Sequence, residues 1–100
     1  MDQEALLEEI LVDAYRDAEQ MVAFHCAVSE LPWPREARLG DMPVTIHGVD
    51  WDGQPYSGLE ASVRYEGHSF DVLFKGLVFP EGTLHALHVA AHRRWLGLDT

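Results

Sequence analysis

Between Leu59 and Phe74 apolar and polar side chains alternate with a period of two, the pattern demanded by a strand with one face buried and one wet. Leu59, Ala61, Val63 and Tyr65 are separated by Glu60, Ser62 and Arg64, and Phe70, Val72 and Phe74 resume the alternation around Asp71. Glu66-Gly67 between the two runs predicts a hairpin closed by a two-residue turn. The segment before it starts in one parity with Val44 and Ile46 and continues in the other with Val49 and Trp51. The phase slips at Gly48, which predicts a β-bulge there. Asp52-Gly53-Gln54-Pro55 ends this strand, and Lys75-Gly76 breaks the third before the apolar run Leu77, Val78, Phe79. Four short antiparallel strands follow from this reading. So few strands leave one apolar side wet unless they curl or are covered, which points to a small SH3-like antiparallel barrel or meander with a helix against it.

That helix starts after Pro80-Glu81-Gly82 with Thr83 as N-cap and stops before Gly97. Leu84, Leu87, Ala91, Trp95 and Leu98 form its expected buried stripe. In the first third of the chain, Leu7, Ile10, Leu11, Ala14, Ala18, Met21, Val22 and His25 recur at helical spacing, as one long helix or two short ones. Asp17 and Gln20 have the spacing of a capping box, which would break the segment near Arg16 and carry a second helix to about Ser29. Pro32-Trp33-Pro34 ends any helix, and Arg35 to Asp41 reads as an exposed connection. The expected class is α+β. One domain spans residues 1–100, with a helical region at 1–30, a β region at 43–79 and a closing helix at 83–96.

Composition bounds what this domain does. One hundred residues with 47% hydrophobic content build one modest core and no second one. The longest apolar runs are far short of a membrane span, and Asp2, Glu4, Glu8 and Glu9 stand where a secretory signal carries cations, so no membrane partner and a cytoplasmic location are expected. The formal net charge of −10 excludes the phosphate-neutralising surface that nucleic-acid binding requires. Eight acids precede Leu31 with only Arg16 against them, giving the helical region a negative face that suits solvent, a basic protein partner or a cation. The single cysteine, Cys26, forms no internal disulfide, and its place in an apolar helical pattern predicts a buried thiol.

Two sets of residues have metal-ligand spacing. His85, His88 and His92 fall at i, i+3 and i+7 of the last helix, on one stripe that suits zinc or nickel. That stripe is expected beside the buried one, where histidines also serve as boundary residues with an apolar body and a polar tip. His47 and His68 lie at the bulge and the second turn. Asp50 and Asp52, two residues apart before Gly53, offer hard oxygen ligands to calcium. They resemble the opening of an EF-hand loop, but Gln54 holds the third ligand position and Ala61 the twelfth, where a bidentate glutamate belongs. No nucleophile elbow, phosphate-binding glycine loop or zinc-hydrolase motif occurs, and the adjacent His25 and Cys26 point about 100° apart on a helix. No enzyme activity is expected.

Several blocks together carry a resemblance. Leu6-Leu7-Glu8-Glu9-Ile10-Leu11-Val12-Asp13-Ala14-Tyr15 with Glu19-Gln20, Asp50-Trp51-Asp52-Gly53 with Gly58-Leu59, Val78-Phe79-Pro80-Glu81-Gly82, and Val89-Ala90-Ala91 leading to Trp95-Leu96-Gly97-Leu98 resemble a family of small bacterial proteins often labelled "calcium-binding protein". The match covers most of the chain outside Pro32 to Met42. It implies calcium as a ligand, with the acidic turn of Asp50 and Asp52 as the only part of a ligand set that maps onto this sequence. His88 and His92 stand where these relatives tend to carry tyrosine, which favours amphipathic boundary residues over a shared histidine metal site. The expected function is a non-enzymatic binding or interaction module, with a protein partner at the barrel's outer face or the acidic helices; the alternative is divalent cation binding.

Overall fold

The computed structural model describes residues 2–12, 14–51 and 58–97. Asp52 and the Asp52-Gly53-Gln54-Pro55 turn lie outside the described residues, as does Leu98 of the expected helical stripe. The elements are α1 (Gln3–Leu11), α2 (Asp17–Ser29), β1 (Arg35–Leu39), β2 (Met42–Asp50), β3 (Glu60–Tyr65), β4 (His68–Leu73), a 3₁₀ turn (Phe74–Gly76), β5 (Leu77–Val78) and α3 (Leu84–Trp95). This is the expected α+β class, with two helices ahead of the sheet and one behind it. No helix among the described residues is long and apolar enough to cross a membrane.

The five antiparallel strands run in the order β4-β3-β2-β1-β5. Among the described residues the sheet is open and is not closed into a barrel. Closure would need β5 to meet β4, but β5 has two residues and pairs instead with β1, through Arg38↔Val78 and Leu39↔Leu77. The apolar face is covered by helices, with α2 against β2, α3 against β5 and the 3₁₀ turn, and α1 laid over α3 and α2.

One strand differs from expectation. Arg35–Leu39, read as an exposed connection, is β1, paired with β2 from Arg35↔Ile46 to Leu39↔Met42. Its apolar side chains are only Ala37 and Leu39, too few to stand out among three charged neighbours, yet they alternate onto the core face and Ala37 is buried. The β3–β4 hairpin has the expected register, Tyr65↔His68 to Glu60↔Leu73, and its turn residues Glu66 (φ 49°) and Gly67 (φ 83°) both adopt the left-handed conformation of a type I′ turn.

The helix boundaries have local causes. Asp2 caps α1 by accepting from the Ala5 amide at 2.8 Å, and Thr83 caps α3 by accepting from the Ala86 amide at 3.1 Å. The break falls near Arg16 as expected, and Arg16 itself takes the N-cap position of α2. Glu19 reaches back to the Tyr15 amide at 3.3 Å, while Gln20 donates to the Ala14 carbonyl and accepts from the Trp95 indole at 2.7 Å. Gln20 therefore ties the α1–α2 junction to α3 instead of serving a capping box.

Met21, Phe24 and Val28 of α2, Val44 and Ile46 of β2, Ala61 and Val63 of β3, Phe74, Leu77 and Phe79 make up the centre of the core. This stripe on α2 is rotated from the expected one, so Val22 and Ala18 are exposed and the Cys26 thiol, expected inside, is exposed too. The stripe on α3 is also shifted: Leu84 is 60% exposed, whereas His85, His88, Val89, Ala91 and His92 are buried. The histidines lie in the middle of the packed face and not at its boundary.

Candidate functional site

A bulge decides which way Asp50 faces. Along β2, Val44 and Ile46 point into the core, and unbroken alternation would send residue 50 the same way. Between Ile46 and Gly48 the register with β3 shifts by one residue, with His47 the extra one. Beyond the shift Val49 opposes Ala61 and Asp50 opposes Glu60, at the end of the sheet where Asp50 is exposed. Gly48, where the alternation slips in the sequence, thus reverses the strand in time to put a carboxylate in solvent.

Asp50 and Glu60 are directly opposed at the neck of the connection from β2 to β3. Directly opposed residues hold their Cβ atoms about 5 Å apart, so two carboxylates share one end of the sheet. Asp50 Oδ1 accepts from the Trp51 amide at 2.8 Å, which fixes the carboxylate at the strand end, and lies 3.9 Å from His25 Nε2 on α2. The Asp50 side chain is 83% exposed, so its remaining oxygen lone pairs face water. Trp51 is half-buried against the core and anchors the start of the connection. Asp52, the second sequence candidate, follows two residues after Asp50, outside the described residues. In the sequence Glu60 is only one polar member of an alternating run, and its sole signal is its place at the start of that run, next to Gly58-Leu59, on the returning side of the same neck.

The histidines of α3 are used one by one. His85 Nε2 is 2.9 Å from the Pro32 carbonyl, and its ring lies edge-on to Trp33 with centroids 4.9 Å apart. His88 Nδ1 is 2.7 Å from the Leu84 carbonyl one turn back in its own helix. His92 Nε2 accepts from the Leu59 amide at 3.3 Å. Burial lowers the pKa of His85 and pushes that of His92 down to about 4, because the charged ring would lose its water. Among the described residues, no three His, Cys, Asp or Glu side chains are grouped so as to hold a metal ion. His47 and His68 are exposed, on the bulge and at the start of β4.

The sheet also carries a groove of about 630 Å³ whose walls include Arg38, Thr45, Arg64, Tyr65, Val78 and Pro80. None of the three buried imidazoles, His85, His88 and His92, lines it.

No protein-family model and no curated protein matches the chain. Among solved structures, the crystal structure of Anabaena CcbP is similar at a TM-score of 0.76 with 17% identity, over 98% of this chain and 93% of that one. A calcium binding protein in its calcium-binding form is similar at a TM-score of 0.72 with 16% identity, over 98% and 93% of the two chains. At these identities the likeness establishes a common fold.

Proposed function

We propose that this protein is a non-enzymatic binding protein whose ligand is calcium, taken up where β2 hands over to β3 by the carboxylates of Asp50 and Glu60 with Asp52 from the connection between them. The observation that carries the reading is the bulge-set pairing of Asp50 with Glu60 at the end of the sheet, with the Asp50 carboxylate exposed. Two like charges directly opposed in a sheet repel each other, and a divalent cation removes that repulsion while taking hard oxygen ligands. The acidic Asp50 and Asp52 turn belongs to the blocks that resemble the calcium-binding family, and a calcium binding protein solved in its calcium-binding form has the same fold. The three α3 histidines support a zinc or nickel site less well, because each ring already has its own main-chain partner.

Titration calorimetry of the purified protein with calcium, magnesium and zinc chlorides tests the reading. Calcium is expected to give saturable heat and to raise the melting temperature, with magnesium weaker. Absence of both heat and melting shift at about 1 mM calcium would remove calcium as the ligand. Saturable binding of zinc alone would return the histidines to consideration.

A further inference from the structure

We propose that the free edge of β4 pairs antiparallel with β4 of a second copy of this chain, joining two five-stranded sheets through a two-fold axis at Phe70. The direction of the main-chain groups on β4 can be worked out residue by residue. The Phe74 amide donates to the Leu59 carbonyl at 2.8 Å, and bonded and non-bonded pairs alternate along an antiparallel ladder. Counting back along the register, Val72, Phe70 and His68 bond inward to β3, whereas Leu73, Asp71 and Ser69 turn their N–H and C=O groups outward. The type I′ turn at Glu66-Gly67 requires the same parity, since it closes on a bonded Tyr65–His68 pair.

Among the described residues this edge lacks most of the usual protection, with Asp71 and His68 its only charged or titratable side chains. His68 to Leu73 contains no proline, lysine or glycine, and its register with β3 has no bulge over six pairs. The opposite edge, β5, is only two residues long and is followed within two residues by Pro80. On the core side of the sheet Phe70 sits at the rim and is 36% exposed, although its partner Val63 is buried.

The side chains of β4 complement a copy of themselves in one register. With Phe70 opposite Phe70 of the second copy, the two rings cover each other in a non-bonded pair, where side chains approach closest. Ser69 then faces Asp71 of the second copy in a bonded pair, twice by symmetry, and on its other side Ser69 is paired with Arg64. The outer face thus reads cation, hydroxyl, carboxylate across three strands, which is the charge complementarity that selects a second copy. The neighbouring register that sets Asp71 against Asp71 is disfavoured by like charge. The net charge of −10 on each copy opposes association at low salt, so the pairing strengthens as salt is added.

Sedimentation velocity of the whole chain in chelator, up to about 1 mM protein, tests this separately from calcium binding. The expected result is a reversible dimer that is more populated at about 0.5 M than at about 0.05 M salt. Ser69→Pro removes an outward N–H and leaves the ladder to β3 intact, and it is expected to weaken the dimer at least about tenfold with unchanged circular dichroism. Asp71→Arg, at an exposed side chain, is a second disruption that does not depend on tolerance of proline and has the same expected effect. A chain that stays monomeric under every condition overturns the proposal. So does a dimer indifferent to both substitutions, which would place the contact elsewhere.

Discussion

The Leu59 amide donates to Nε2 of His92 across 33 residues of sequence, at 3.3 Å. An accepting Nε2 puts the ring proton on Nδ1, which is buried without a hydrogen-bond partner among the described residues. The ring lies among Phe24, Phe74 and Trp95 at centroid distances of 5.2, 6.0 and 5.9 Å. Leu59 is held from both sides, since its carbonyl accepts from the Phe74 amide. The start of β3, and with it Glu60, is thereby fixed to α3.

This arrangement makes stability depend on pH. Burial, with the charge of Lys75 as the smaller cause, lowers the His92 pKa from 6.5 to about 4 in the folded chain, while the unfolded chain keeps the ordinary value. Between those values the unfolded state binds more protons. His92 therefore contributes its full stability above pH 6.5 and loses it as the pH falls toward 4, by about 3 kcal/mol in all. Urea midpoints measured between neutral pH and about pH 4.5 should fall on acidification, and His92→Phe should flatten that part of the profile. Identical profiles for the two proteins would contradict the account.

Gly58 sits next to the same contact with φ +79°, and a Cβ there would lie 3.4 Å from His92 Nε2 and 3.6 Å from Leu96 Cδ1. Gly40 has a similar φ of +63° but nothing within 4 Å. A Cβ at Gly58 thus meets its neighbours at ordinary van der Waals distance, so Gly40→Ala and Gly58→Ala should each cost mainly the left-handed backbone conformation, about 1 kcal/mol. Chemical denaturation of both variants checks this, and a much larger loss for Gly58→Ala would contradict it.

Glu66 holds a left-handed backbone at φ 49° that asparagine adopts more readily. Glu66→Asn is expected to stabilise the fold by about 0.5 kcal/mol, read as a higher urea midpoint. A loss of stability would argue against the type I′ turn that sets the β4 edge.

Glu60→Gln should act in opposite directions on two properties. Removing one of the opposed carboxylates relieves repulsion with Asp50, worth about 0.5 kcal/mol in the ion-free protein, and at the same time weakens calcium binding. Melting in chelator and titration calorimetry read the two effects separately. A variant that binds calcium as tightly as the parent would remove Glu60 from the ligand set.

Much of this was legible in the sequence, and what was hidden has physical reasons. Period-two alternation revealed β3 and β4, and the phase slip at Gly48 revealed the bulge, because a sheet with one covered face records burial in every second residue. Thr83 and Gly97 marked α3 because the ends of a helix have specific chemistry, realised here by the Thr83 cap and by Gly97 at φ 81°. The strand at Arg35–Leu39 was hidden because its pairing is mostly main-chain and its core contribution is small. The buried face of α3 is hidden in the sequence because Leu84 and Leu87 are the more apolar residues on a helical wheel. The choice was made by the partners across from the helix, where the Pro32 carbonyl, the Leu59 amide and a set of aromatic rings suit imidazoles. Glu60 acquired its meaning only from the register that places it opposite Asp50.

Amide NMR of the protein during calcium titration tests the central claim most directly. The account predicts saturable shifts concentrated at Asp50 and Trp51 on one strand end and Leu59 and Glu60 on the other, abolished by Asp50→Asn. Shifts centred on His85 to His92, or none at all, would contradict it.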